Sequence, residues 1–139
     1  IIKETGLCVW RSGIEPELEL KINPDWLNGK MALYWTGKSH KTFELTGKER
    51  DYEMIERAGK VARQAAIRKN VFELAEAINL SYEVQIKEGM ERCPKFNEIG
   101  KKYCGGGFGG YVLYLFETES DRNIFLQNKD TLKIEPYMK

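Results

Sequence analysis

Histidine is nearly absent from this chain, cysteine is scarce, and no long apolar run occurs. The lone His40 has no cysteine partner at metal-ligand spacing, which argues against a zinc site. The three cysteines, Cys8, Cys93 and Cys104, form no short paired spacing. An odd, scattered set of this kind does not make a disulfide framework and fits a reducing compartment, most simply the cytoplasm. No apolar stretch approaches the ~18 residues of a membrane span. Residues 1–15 lack a basic start followed by an apolar stretch, so they do not read as a signal peptide. Excess charge is missing too: 22 Lys and Arg stand against 21 Asp and Glu. That balance gives no reason to expect a nucleic acid or an acidic membrane as partner. The chain also lacks a starting methionine, and Ile1 is expected to begin a piece of something longer.

What is present suits one domain. The 139 residues are 42% hydrophobic and 31% charged, enough apolar material for a packed interior beneath a soluble surface. Residues 6–10 and 17–22 read as strands, the second alternating charged and apolar side chains. The cluster Glu15-Pro16-Glu17-Leu18-Glu19, with Lys21 nearby, reads as the solvated face of that strand. Asn23-Pro24-Asp25 and Asn28-Gly29 are turn signals on either side of Trp26-Leu27. Met31–Trp35 is a short apolar run and a candidate buried strand, ending at the polar corner Thr36-Gly37-Lys38-Ser39.

A helix is expected over residues 50–68, where Ile55, Ala58, Ala62 and Ala65 form one stripe of mostly small residues. A second helix should start at Asn70, which with Glu73 makes an Asn-x-x-Glu start signal, and should end at Gly89. Phe72, Ala75, Ile78, Leu80, Tyr82 and Ile86 are its expected buried surface. Residues 94–102 read as a short helix or loop. Tyr111–Phe116 is a second apolar strand, Thr118 or Ser120 can cap a short helix carrying Ile124, Phe125 and Leu126, and Thr131–Glu135 is a closing strand. From residue 31 the order is strand, helix, helix, strand, glycine loop, strand, helix, strand. The expected fold is α+β: a ferredoxin-like antiparallel sheet with helices on one face, preceded by a short β-hairpin. Residues 1–25 are assigned to that lead-in hairpin, the tail of a preceding domain, and residues 26–139 to the main domain.

Between the last two apolar strands and the helices lies Cys104-Gly105-Gly106-Gly107-Phe108-Gly109-Gly110, in which Phe108 interrupts five glycines. Such a stretch costs conformational entropy on folding. Two explanations stand side by side: amides lining a concave anion site for phosphate, or a tight turn between two strands. The Walker A pattern is excluded because Gly109-Gly110-Tyr111 stands where Gly-Lys-Ser/Thr is needed. A Rossmann site is excluded because a strand, not a helix, follows the loop.

Residues 104–111 resemble the third motif of GHMP-type small-molecule kinases, Ser/Thr-Gly-Ala-Gly-x-Gly-Gly-Cys. Gly105, Gly107, Gly109 and Gly110 match it, Cys104 takes the small first position, Gly106 the alanine position, and Tyr111 departs from the small last residue. Tyr34-Trp35-Thr36-Gly37-Lys38-Ser39-His40 is similar to the Tyr-Thr-Gly-x-Ser-Arg segment of sugar-type members such as heptose-phosphate kinases and fucokinases, with His40 in the arginine position. The family's phosphate loop, Pro-x-x-x-Gly-Leu-x-Ser-Ser, and its Gly-x-x-Asp segment for the catalytic acid do not occur in this chain.

The resemblance implies the C-terminal part of an ATP-dependent kinase acting on a sugar or sugar phosphate. In it, Gly105, Gly106, Gly107, Gly109 and Gly110 would support the nucleotide phosphates, and Thr36, Gly37 and Ser39 would line the acceptor pocket. ATP and Mg2+ would bind in the intact protein, together with a missing N-terminal domain. This chain would supply no catalytic residue and no metal ligand, and alone would bind neither cofactor tightly. The other reading of the same residues is a non-catalytic α+β binding or oligomerisation module with a structural glycine turn. The three tryptophans, Trp10, Trp26 and Trp35, are assigned to core and interface. If an absent domain docks here, Trp10 or Trp35 should lie exposed on its docking face.

Overall fold

The computed structural model describes residues 6–38, 50–105 and 110–136. Strands β1 (Leu7–Arg11) and β2 (Glu17–Ile22) pair as an antiparallel hairpin, with a register shift between Val9 and Trp10. A single 3-10 turn, Asp25–Leu27, buries Leu27 and leads into β3 (Met31–Trp35). Helices α1 (Tyr52–Arg68) and α2 (Val71–Lys87) follow. Then come β4 (Gly100–Tyr103), β5 (Tyr111–Leu115), the short α3 (Glu119–Phe125) and β6 (Thr131–Ile134).

The last four strands form one sheet in the order β4-β5-β3-β6, every neighbouring pair antiparallel. Two strand–helix–strand units thus interleave, so β3 and β4 run parallel with β5 between them. The strand order is the ferredoxin-like one expected from the sequence, and the fold class is α+β, but the helices do not all share one face: α2 packs beside Leu113 and Leu115, whereas α3 packs beside Val112 and Tyr114, because both faces of β5 are apolar.

Local chemistry explains both long helices. Asp51 caps α1, its Oδ1 accepting from Met54 N–H at 3.0 Å. Asn70 caps α2, its Oδ1 accepting from Phe72 N–H and Glu73 N–H at 3.0 and 3.1 Å. Between them Lys69 takes the left-handed conformation, φ 52°, that ends α1. Gly89, at φ 102°, follows the end of α2 as its composition signalled. Thr118 caps α3, accepting from Asp121 N–H at 3.1 Å.

The sheet buries an apolar cluster on each face. Met31, Leu113 and Leu115 pack with Val71, Ala75 and Ile78 of α2, with Leu27, and with Leu7 of the hairpin. Gly100 and Lys102 share that face by register, and α1 lies on α2 through its small residues. The opposite set, Ala32, Tyr34, Val112 and Tyr114, packs with Phe125 of α3, Met90, Phe96 and Tyr82. Tyr114 and Phe125 stack with centroids 4.8 Å apart.

β4 is an edge strand, and α2 closes its free edge. Asn79 Nδ2 donates to Ile99 O (3.0 Å) and Asn79 Oδ1 accepts from Lys101 N–H (3.2 Å). Buried Gln85 repeats the device on Tyr103, donating to its carbonyl (3.2 Å) and accepting from its N–H (3.0 Å). Two side-chain amides therefore stand in for a fifth strand, and the edge offers no template for pairing.

Several local expectations need correction. Residues 94–102 are not a short helix or loop throughout: Gly100–Tyr103 is a strand, because pairing with β5 and the two amides outweighs a Gly-Lys-Lys-Tyr composition without an apolar pattern. Phe72 is 55% exposed, at an open groove between α2 and Ile99 beyond the free edge of the sheet. Ile55 and Ile124 are also exposed. Trp10 and Trp35 are half-buried rather than exposed: Trp10 lies against α1 and Trp35 against Tyr111. Glu19 is not merely solvated; it accepts from Arg63 Nε at 3.0 Å and ties the hairpin to α1.

Among the described residues Arg122 is the most deeply buried charged side chain. Arg122 of α3, 1% exposed, pairs with Glu135, and Glu135 accepts from Gly29 N–H at 3.0 Å. The network fastens α3, the end of β6 and the Asn28-Gly29 turn at the end of the sheet away from the glycine loop.

Candidate functional site

Two stretches singled out in the sequence meet at one end of the sheet. Where β3 ends, Trp35 N–H donates to Asp130 O at 2.8 Å and the chain turns through Thr36 and Gly37. Gly37 has φ +79°, with open space where a Cβ would sit, so its backbone conformation and not crowding calls for glycine. Thr36 N–H and Thr36 Oγ1–H both donate to Gly110 O, at 3.1 and 2.8 Å. Gly110 N–H donates to Lys38 O at 2.7 Å. The polar corner and the last residue of the glycine loop are thus bonded in both directions across 74 positions of sequence.

The loop springs from the β4–β5 pair. Tyr103 is in register with Val112, and Cys104 N–H donates to Tyr111 O at 3.0 Å. Gly105 and Gly110, the two described loop glycines, have φ +59° and +76°. Gly105 has nothing within 4 Å of its ideal Cβ position. Gly106, Gly107 and Gly109, together with Ser39 and His40, lie outside the described residues. Tyr111, the departure from a small residue, stands 41% exposed, its ring 5.0 Å from that of Trp35.

The surrounding charges are few. Lys38 Nζ pairs with Glu91 at 2.8 Å, both side chains exposed, and the lysine holds the Glu91 carboxyl below its usual range. Lys102 points between α1 and α2, where burial pulls its amine down, with Cys104 pulling the other way. Burial pushes the Cys104 thiol up, against the opposing pull of Lys102. Cys104 is nonetheless exposed at the start of the loop. Burial pushes the half-buried Cys93 thiol up as well. Among the described residues, no three His, Cys, Asp or Glu side chains are grouped to hold a metal ion. No helix among them is long and apolar enough to cross a membrane.

Among the described residues the arrangement offers backbone amides and a hydrogen-bonded corner. Of the sequence-identified residues the structure joins Thr36 and Gly110 directly, with Gly37 in the turn between Thr36 and Lys38 and Gly105 at the other root of the loop. It adds Gln85, which sequence reasoning passed over. Both bonds of its amide fix Tyr103, the residue just before Cys104. The available signal was a glutamine among apolar positions near the end of α2.

No protein-family model matches the sequence, and no curated protein matches it. Solved structures do resemble the fold. A D-glycero-D-manno-heptose 1-phosphate kinase from Bacteroides thetaiotaomicron superposes with a TM-score of 0.57 and 16% identity, over 88% of this chain and 40% of its own. The L. major mevalonate kinase, solved in complex with R-mevalonate, gives 0.61 and 15%, over 95% of this chain and 50% of its own. The Methanococcus jannaschii mevalonate kinase gives 0.60 and 20%, over 86% and 45%. At these identities the likeness is one of fold, and the chain spans half or less of each structure's length. The fold shared is that of one part of each of these three kinases.

Proposed function

We propose that this chain forms the C-terminal part of an ATP-dependent GHMP-type kinase that phosphorylates a hydroxyl of a sugar or sugar phosphate. The observation that carries the reading is the meeting of the Thr36-Gly37 corner with the glycine loop, through Thr36 and Gly110, in a kinase-like fold. The left-handed Gly105 suits a loop whose amides face an anion, which fits a phosphate group, while Gly110 anchors the loop by donating its own amide to Lys38 O. ATP, when bound, supplies the transferable phosphoryl group.

In this reading the glycine loop, Gly105 to Gly110, backs the nucleotide phosphates. Thr36 spends its hydroxyl proton on Gly110 O and acts as the brace between loop and acceptor wall. Gly37 and Ser39 border the acceptor. Mg2+ and the catalytic acid fall to a partner N-terminal domain. Positioning and preorganised donors then carry most of the rate enhancement. A sugar-type acceptor is favoured over a mevalonate-like acid by the Tyr34-Trp35-Thr36-Gly37 stretch. The cytoplasm, where ATP and reduced thiols coexist, is the compartment proposed.

The test is turnover of the full-length protein with Mg-ATP and a panel of sugars, sugar phosphates and mevalonate. Phosphorylation of a sugar is expected. Turnover of mevalonate alone would overturn the acceptor class, and no turnover at all would favour the non-catalytic module. Gly109→Val in the same protein should cut kcat at least about 100-fold while leaving the thermal transition in place, because a β-branched residue restricts φ and blocks close approach. Normal turnover in that variant would reduce the loop to a turn.

A further inference from the structure

We propose that the cavity between α1 and α2, lined by Lys102 of β4, is a binding site for a small monocarboxylate with an apolar tail. The cavity has a volume of about 250 Å³, and its walls include Ile55, Ala58, Leu74, Ile78, Ser81 and Lys102. No residue of the glycine loop or of the Thr36-Gly37 corner lines it, so the proposal stands apart from the phosphate loop.

Three observations define the ligand. The first is an unanswered positive charge. Lys102 is the one charged side chain of the lining. No carboxylate among the described residues acts on it: burial pulls its amine down, and Cys104 alone pulls the other way. A half-buried cation without a counterion is costly, and a ligand carboxylate supplies the missing partner. The second is access. Lys102 is partly exposed, and the one described side-chain nitrogen or oxygen that is both sealed from solvent and unpartnered belongs to Trp26. The unpaired Lys102 amine is therefore open to solvent, where a ligand in the cavity can meet it.

The third is the wall. Apart from Ser81 and Lys102, the lining is apolar side chains and Gly59. Such a wall receives a hydrocarbon tail and leaves a second charged group unanswered. Ser81 adds one hydroxyl, a donor for the other carboxylate oxygen. Ala58, Gly59, Ala62 and Ala77 keep the space open, because none has an atom beyond Cβ. At about 30 Å³ per water the cavity holds about eight water-sized groups, which is the size of hexanoate.

The test is titration of the chain, isotopically labelled at its isoleucine methyl groups, with hexanoate, hexanol, acetate and inorganic phosphate. The Ile55 and Ile78 signals should move saturably with hexanoate, while that of Ile124, on α3 at the opposite face of the sheet, stays in place. Hexanol lacks the charge and should bind about 10-fold more weakly. Acetate lacks the tail and should bind at least about 10-fold more weakly. Lys102→Met keeps a side chain of similar length without the charge. It should bring hexanoate to the affinity of hexanol or below without lowering the thermal transition. Five results would each overturn the proposal: no saturable shift, equal affinity of hexanoate and hexanol for the unmodified chain, acetate binding as tightly as hexanoate, hexanoate binding untouched by Lys102→Met, or inorganic phosphate moving the same signals in preference to hexanoate, which would join Lys102 to the phosphate loop instead.

Discussion

Gly100→Ala should weaken this protein by loosening α2 from the edge of the sheet. A Cβ on Gly100 would stand 3.2 Å from Ala75 Cα, 3.2 Å from Ala75 O and 3.3 Å from Ala75 Cβ. Two of those atoms are helix backbone, so no side-chain rotation relieves the contact. Relief requires α2 to back away by a few tenths of an ångström. The four amide bonds that Asn79 and Gln85 make to residues 99–103 are already 3.0–3.2 Å long, so the same movement stretches them. Overpacking of this kind costs about 1–3 kcal/mol. With an unfolding entropy of about 2.1 cal/mol/K per residue, 139 residues give about 0.29 kcal/mol/K, so Tm should fall by about 3–10 °C. Calorimetry measures the shift, and amide exchange locates it. The Lys101 and Tyr103 amides, bonded to Asn79 and Gln85, should exchange faster than those of β3. An unchanged or higher Tm, or unaltered protection at those two amides, would refute the argument that α2 is held at its closest approach by side-chain amides.

Lys102→Met should raise Tm at pH 7. The folded chain holds the lysine amine below its usual value through burial, so the charged form costs stability wherever it is protonated. That cost is present at pH 7 and is relieved as pH rises from the folded value toward the unfolded one, about 10.4. The advantage of the methionine variant should therefore shrink as pH rises toward about 10.4 and level off above it; a pH-independent advantage would mean that packing, not charge, is responsible. Asn70→Ala should cost about 1 kcal/mol in urea denaturation by orphaning the Phe72 and Glu73 amides, and Asn70→Asp should restore most of it. Calorimetry of the 139-residue chain with Mg-ATP should show binding no tighter than about millimolar, roughly 4 kcal/mol or less. Micromolar binding would show that this chain carries a complete nucleotide site and would overturn the assignment of Mg2+ and catalytic acid to another domain.

Helices, caps and most strands were legible in the sequence because their causes are local. Asn70 bonds to amides two and three residues away, Gly89 takes the left-handed turn itself, and the small-residue stripe of α1 follows from a 3.6-residue period. The same holds for the corner at Gly37 and the glycine loop, whose composition announced unusual backbone conformations before any contact was known. Tertiary structure decided the rest. Gly-Lys-Lys-Tyr has no pattern of its own, and becomes β4 only because β5 and the amides of α2 satisfy both of its sides. Phe72 and Ile78 look alike in sequence, but their exposure depends on where α2 meets the sheet. Arg122 is buried because Glu135, thirteen residues away, folds back against it. The bond between Thr36 and Gly110 joins residues 74 positions apart. Periodicity and capping act within a few residues, whereas edge protection, burial of charge and the joining of the site depend on which distant elements become neighbours.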